Sequence, residues 1–291
     1  MNRSIEQKKT RPTSFSGVLF RAFIQRADVK IGLGILVFFV AVALVSLVYI
    51  PYPLLATVGP PNTPPSAKFL FGTNNIGQDL FSQWMYGTRP TLLVGFFAAL
   101  MTAVLGVTTG IVAGYIPRMD SPLMRIVDVV LTLPALPLLI LVSAVLLPSD
   151  FVEAALIGLL SWAGMSRILR SSVLSLRSMQ FLEVAELSNV PRYKIMFEDV
   201  FKHTFAIIIV YSLFAVGGAI LTMSSLAFIG VGPITDYSWG TVISLANSNN
   251  ALYSGNWWWP LVPGLSIGIL VTALALVAYG LEAASKRVHT L

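Results

Sequence analysis

Long stretches without charge constrain this chain more than any other feature. Five stretches contain no charged residue, at residues 31–50, 91–116, 129–147, 205–229 and 257–281, and a shorter one at 151–165 contains only Glu153. A helix of about 20 apolar residues crosses the hydrocarbon core of a bilayer. The stretches are continuously apolar, whereas membrane strands alternate apolar and polar residues. The sequence therefore predicts an all-α, polytopic membrane protein with six transmembrane helices.

The composition excludes several other classes of protein. Hydrophobic residues make up 56% of the chain and charged residues 11%, which is less than half of the roughly 25% charged residues of soluble domains. The chain has no cysteine and only two histidines, His203 and His289. These counts exclude a disulfide framework, a cysteine nucleophile and a multi-histidine metal centre. We predict no catalytic residue and no metal site.

Lysine and arginine lie almost entirely on one side of the predicted spans. Of the 19 such residues, only Lys68 and Arg89 fall on the other side. This bias places both termini in the cytoplasm, and it also explains the net charge of +6 without nucleic acid.

These spans divide the chain into five parts. They are a cytoplasmic tail with an interfacial helix at 1–30, the first transmembrane helix at 31–50, an extracytoplasmic segment at 51–90, a five-helix core at 91–283 and a cytoplasmic tail at 284–291. The interfacial helix is predicted from five apolar residues interspersed with Arg21 and Arg26, namely Phe15, Leu19, Phe20, Phe23 and Ile24.

The spans lack ionisable groups at mid-depth. Asp128, Glu153 and Arg89 fall at the predicted ends, where their side chains are expected to reach the surface. A proton- or sodium-coupled carrier and an intramembrane hydrolase both need such groups at mid-depth. The sequence also has no phosphate-binding P-loop motif. We therefore expect a transport protein whose energy is supplied by another protein.

Glycines and prolines give packing signals. Gly106, Gly110 and Gly114 recur every four residues and predict a flat helix surface for close packing, the alternative being ordinary glycine enrichment in membrane helices. Two pairs of prolines in spans three and six favour bends: Pro134 with Pro137, and Pro260 with Pro263.

The loop at 166–203 carries the strongest functional signal. Asn189 and Pro191 predict a sharp corner between two helices. After the corner, one predicted face is apolar and the other is charged with two i, i+4 ion pairs, Lys194–Glu198 and Glu198–Lys202. The apolar stripe consists of Tyr193, Met196, Phe197, Val200 and Phe201. A mixed-charge face suits a protein partner, and the alternative is a helix resting on the membrane surface.

Several motifs make the chain similar to a known family. The sequence Glu183-Val184-Ala185 followed by Asn189 resembles the Glu-Ala-Ala…Gly loop of ABC importer permeases. Further motifs resemble the dipeptide/oligopeptide branch, at 71–79 with 87–89, at 226–232 with 239–240, and at 258–264. The chain departs from the family pattern at Val184, Asn189 and Lys202, and lacks the family's Asp-Pro ending after Glu282.

The resemblance implies an ABC type I importer-like fold and a role as the second of two permease subunits. It implies as partners a second homologous permease, two ATPase subunits that hold ATP and Mg²⁺, and an extracytoplasmic binding protein, with no cofactor on this chain. It assigns ATPase coupling to the loop, with these candidate residues: Glu183, Ala185, Asn189, Pro191, Arg192, Tyr193, Met196 and Phe197.

The cargo and two rival functions stay open. The branch carries peptides, oligosaccharides or nickel complexes, and the sequence does not identify the substrate-binding residues. A secondary carrier or channel without an ATPase explains the spans but not the amphipathic corner, and a membrane scaffold explains only the glycines. The cluster Trp257-Trp258-Trp259 predicts an aromatic belt at the membrane surface rather than a sugar-stacking platform.

Overall fold

The computed structural model describes residues 23–146, 149–179, 188, 191–231 and 237–289. Within these residues the chain is all-α and forms no strand, which confirms the predicted class. The helices are α1 (Ala27–Val45), α2 (Leu80–Tyr115), α3 (Pro117–Thr132), α4 (Ala135–Leu146), α5 (Asp150–Arg177), α6 (Arg192–Ile229), α7 (Trp239–Ser248) and α8 (Trp258–His289). Five of the described helices are long and apolar enough to cross a membrane, and the number is six if the bent pair of α3 and α4 is counted as one span.

The first span begins earlier than the apolar run predicts. The helix starts at Ala27 rather than at residue 31. Asp28 in its first turn accepts hydrogen bonds from the Arg26 guanidinium and from the amide of Val29. Negative charge is favourable at a helix N-terminus, so the charged residues extend this end of the helix rather than terminating it.

The third span is not one straight helix. The axes of α3 and α4 differ by 77°. The break falls at Leu133, whose φ of −71° and ψ of 130° are extended. Pro134 forces this conformation on the residue before it and has no N–H to donate to the preceding turn. The bend that the prolines predict in span three is confirmed, and Pro134 produces an elbow.

The helix of the fourth span continues beyond the apolar stretch that ends at Met165, because α5 comprises 28 residues and ends at Arg177. Arg167 and Arg170 do not terminate it, since their side chains pair with Asp128 and Asp120 of α3.

The predicted surface position of Glu153 is also wrong. Its side chain is buried in the first turn of α5, and neither carboxylate oxygen has a hydrogen-bond partner in the described part of the chain. Helix packing around α5, rather than the distance to the span end, decides its exposure.

The predicted glycine surface of α2 packs against α5, in the most extensive helix contact of the molecule. A Cβ atom on Gly106, Gly110 or Gly114 would lie 2.9, 2.8 or 2.7 Å from the Cβ of a residue on α5. The facing residues, in order, are Met165, Leu169 and Val173. Real Cβ atoms do not approach this closely, so only glycine permits the observed separation of the helices.

An aromatic cluster packs α7 against three other helices. The rings of Trp84 and Trp239 stack with centroids 6.3 Å apart, and Phe39 of α1 packs edge-on against Trp239. Trp239 Nε1 donates to the Trp84 carbonyl at 3.0 Å, and Trp84 Nε1 donates to Ser266 Oγ of α8 at 2.8 Å. This cluster fixes α7 against α1, α2 and α8.

The predicted tryptophan belt is only partly possible. Trp258 and Trp259 are buried with residues of α7, and Trp257 is exposed. The belt prediction is wrong for the two buried rings, because α8 begins under α7. It stays a prediction for Trp257.

Candidate ATPase-coupling site

The structure describes the predicted coupling loop at residues 166–179, 188 and 191–203. Glu183, Ala185 and Asn189 lie outside the described residues, so their roles stay predictions. Pro191 lies immediately before the first helical residue, in extended conformation with ψ 134°. Its carbonyl accepts hydrogen bonds from the amides of Lys194 at 2.9 Å and Ile195 at 3.2 Å, so α6 begins directly after the proline.

The start of α6 is not a regular α-helix, because Ile195–Val200 is a π-helix. Its i→i+5 hydrogen bonds widen the turn, so residues three and four apart no longer share one face. The predicted single apolar stripe is therefore wrong. Tyr193 and Phe197 project outward, 68% and 72% exposed, whereas Val200 is buried. Met196 and Phe201 are half-buried between these extremes.

Two apolar residues anchor this segment to the helix bundle. Ile195 and Val200 are fully buried against Ile111 and Tyr115 of α2 and Val173 of α5. Ile195 was absent from the predicted stripe. It lies five residues before Val200, which is the span of a π-helical i→i+5 hydrogen bond, whereas an α-helical repeat would not place the two residues on one face.

The charged side chains of the segment stay exposed. Arg192, Lys194, Glu198 and Lys202 all face outward. The predicted ion pairs Lys194–Glu198 and Glu198–Lys202 do not form within the described part of the chain. The π-helical turn takes residues four apart out of alignment, so the charges remain accessible beside the exposed aromatic pair.

The buried anchors connect this surface to the transmembrane helices. Any force on Tyr193 and Phe197 acts on a helix that is anchored to the ends of α2 and α5. In turn, α5 is joined to α3 by Arg170, whose guanidinium donates to both carboxylate oxygens of Asp120 at 2.5 and 2.6 Å. The exposed aromatic side chains therefore lie on a segment that is in direct contact with the membrane spans.

Comparison with known proteins identifies the family of this chain. Residues 106–287 match the family described as binding-protein-dependent transport system inner membrane component. The chain belongs to this family. The permease is 31% identical to the dipeptide transport system permease protein DppC of Bacillus subtilis (strain 168), over 97% of this chain and 88% of the relative. It is 32% identical to a putative peptide transport system permease protein of Brucella suis, over 93% and 94% of the two chains.

A third relative has a narrower overlap. It is the di/tripeptide transport system permease protein DppC of Pseudomonas aeruginosa, 31% identical over 76% of this chain and 74% of the relative. The resemblance to dipeptide/oligopeptide-type importer permeases is confirmed. The permease is a multi-pass membrane subunit of an ABC importer, a family that works with ATPase and substrate-binding components.

Proposed function

We propose that this permease forms half of the translocation pathway of an ATP-driven importer of di- and oligopeptides. It is the second of two homologous permease subunits, and it couples to two ATPase subunits through the loop that contains Tyr193 and Phe197. An extracytoplasmic binding protein delivers the peptide. ATP and Mg²⁺ bind to the ATPase subunits, and this chain holds no cofactor and catalyses no reaction.

One observation supports the coupling role. Two exposed aromatic side chains lie on a helix segment whose aliphatic side chains are buried in the bundle. Tyr193 and Phe197 are both mostly exposed, whereas Ile195 between them is fully buried. Large exposed aromatic residues are the usual anchors of protein interfaces. A groove on the ATPase that receives this pair gains a firm hold on α6, α2 and α5. Closure of the ATPase dimer then moves these helices as a rigid group.

The test removes the aromatic pair from the intact importer. We expect the double variant Tyr193→Ala/Phe197→Ala to lose co-purification of the ATPase subunits in detergent. Interface anchors contribute about 2 kcal/mol or more each, so affinity falls by at least about 30-fold per anchor. Peptide-stimulated ATP hydrolysis falls with it.

The matched control is Tyr253→Ala, because Tyr253 is 94% exposed but lies between α7 and α8, far along the chain from the loop. We expect this variant to retain the ATPase subunits. Normal ATPase co-purification and normal stimulation in the double variant would contradict coupling at this surface. ATP-independent transport by this chain alone in liposomes would favour the carrier alternative.

The cargo class is proposed from the names of the relatives, two of which are dipeptide or di/tripeptide permeases. Calorimetry of the cognate binding protein tests it. We expect binding of short peptides, and retention of an oligosaccharide or a nickel complex instead would reassign the cargo without changing the architecture.

A further inference from the structure

A buried carboxylate near the start of α5 has no part in the proposed coupling site. The Glu153 side chain is 1% exposed, and neither carboxylate oxygen has a hydrogen-bond partner in the described part of the chain. A buried carboxylate is stable only when it is paired, coordinates a cation or carries a proton. Glu153 therefore requires a positively charged partner.

The helices around Glu153 offer no basic side chain as that partner. The apolar cluster next to it contains residues of α2, α4, α5 and α6. The uncharged stretches of the three surrounding helices, at 91–116, 129–147 and 205–229, contain no lysine, arginine or histidine. On α5 itself, the charged residue nearest in sequence is Asp150, which repels a second carboxylate. The positive charge must therefore come from a bound cation.

A second buried polar group, Ser143, lies on α4 at the same junction. Leu139 packs in one apolar cluster with Ala154 and Ile157. Ser143 lies one helical turn after Leu139, toward the end of α4. Glu153 lies one turn before Ile157, toward the start of α5, and only residues 147–149 separate the two helices. Ser143 is 2% exposed and its hydroxyl has no hydrogen-bond partner among the described residues, so both helices contribute an unpartnered polar group here.

The junction also supplies further oxygen atoms and a negative potential. The last carbonyl groups of a helix have no partner within the helix, and α4 ends at Leu146. The peptide dipoles give this end a partial negative charge, which favours a cation. Asp150, in the first turn of α5, adds a second carboxylate with one buried oxygen. A proton occupies a single oxygen, whereas a set of carboxylate, hydroxyl and carbonyl oxygens suits a hard metal ion.

We propose that the junction of α4 and α5 binds an alkali metal ion through Glu153 and Ser143. The ion neutralises the buried carboxylate and holds α4 against α5. Such a link matters for α4, because this helix buries only Leu139 and Ser143. The ion is a structural ligand that is neither transported nor coupled to the movement of cargo. The inference goes beyond the proposed function and does not depend on the cargo.

Local hydrogen–deuterium exchange tests the proposal without measuring transport. The complete importer in detergent is compared in sodium chloride and in choline chloride at equal ionic strength, with no peptide or nucleotide. Exchange over residues 135–157 is followed by mass spectrometry. A ligand that binds only the closed junction lowers the population of its open form, so we expect about tenfold slower exchange at ten times the dissociation constant of sodium. Parallel samples in potassium chloride and calcium chloride identify the class of ion.

Two variants remove the proposed ligands one at a time. Glu153→Gln keeps the shape and removes the charge, so we expect slow exchange that no longer depends on sodium. Ser143→Ala removes a neutral ligand, and we expect it to raise the sodium concentration for half-maximal protection severalfold. The matched controls are Glu282→Gln on α8 and Ser161→Ala further along α5, which should keep the wild-type response. If Glu153→Gln does not assemble, the wild-type protein and Ser143→Ala still decide the question.

Equal exchange in sodium, potassium and choline would overturn the inference and leave a proton as the ligand of Glu153. A response to calcium alone would overturn the assignment to an alkali metal ion. A sodium response that persists unchanged in both Glu153→Gln and Ser143→Ala would place the ion elsewhere and would also overturn the inference. The proposed function is untouched by these outcomes, because the coupling test on Tyr193 and Phe197 addresses it separately.

Discussion

At the scale of single residues, the absence of a side chain determines how the two most closely packed helices meet. Gly110 is the central residue of the glycine surface on α2, and an added Cβ would also lie 2.8 Å from the Ser166 carbonyl. Membrane helices gain stability from such close approach, because lipid offers no hydrophobic drive for them to associate. The close packing of α2 against α5 therefore depends on the absence of a methyl group at each of these glycines.

Gly110→Ala is expected to destabilise the permease by about 1–3 kcal/mol, since the methyl group meets the α5 backbone, which has no free space to move into. Gly164→Ala on α5 is the matched control, because a Cβ there meets nothing within 4 Å. Its expected effect is neutral or stabilising by up to about 1 kcal/mol. Thermal unfolding in detergent measures both, and equal melting temperatures for the two variants would contradict the packing argument.

At the scale of elements, the π-helical start of α6 separates docking from anchoring. Its exposed aromatic residues and its buried aliphatic residues alternate over a few positions, so one short segment contacts both a partner and the bundle. The two roles can be removed independently, because Ile195 is fully buried and Tyr193 is mostly exposed.

Ile195→Ala is expected to cost about 2–4 kcal/mol of local packing while leaving the docking residues in place. The ATPase subunits should still co-purify, but the number of peptides imported per ATP should fall, because the anchor to α2 and α5 is loosened. Phe205→Ala, at a half-exposed position thirteen residues into the same helix, is the control and should preserve the ratio. Loss of the ATPase subunits from the Ile195 variant would show that anchoring and docking are not separable.

Elements with strong local signals were predictable from sequence. The uncharged stretches located the crossings, and the glycine spacing identified the face of α2 that packs on α5. The prolines of span three predicted a bend, but its angle of 77° was not predictable because a proline does not fix the size of a bend. The burial of Glu153 depends on contacts with other helices, which the periodicity of its own segment does not reveal. The predicted apolar stripe was wrong because an α-helical repeat does not hold where the chain forms a π-helix.

At the scale of the whole molecule, the charge distribution sets the orientation. The exposed turn with Tyr253 lies between α7 and α8, at the end of α8 opposite to Lys286. The bias of lysine and arginine predicts that Tyr253 faces outward and Lys286 faces the cytoplasm.

In right-side-out vesicles, an impermeant maleimide should label Tyr253→Cys directly and Lys286→Cys only after permeabilisation. Leu270→Cys, which is buried within α8, is the unreactive control. Because the natural chain has no cysteine, the label on this subunit reports one site at a time. Direct labelling of Lys286→Cys in sealed vesicles would reverse the orientation and remove the coupling surface from the cytoplasm.

The π-helical turn also has a consequence for how such a subunit tolerates changes of length during evolution. Losing one codon within Ile195–Val200 would restore ordinary helical winding. Because a π-helical turn contains one residue more than an α-helical turn, the residues before the lost codon would keep their direction around the helix axis. Tyr193 would therefore still point outward. The same loss in the α-helical part of α6 would instead rotate everything before it by about 100° and redirect the surface that contains Tyr193.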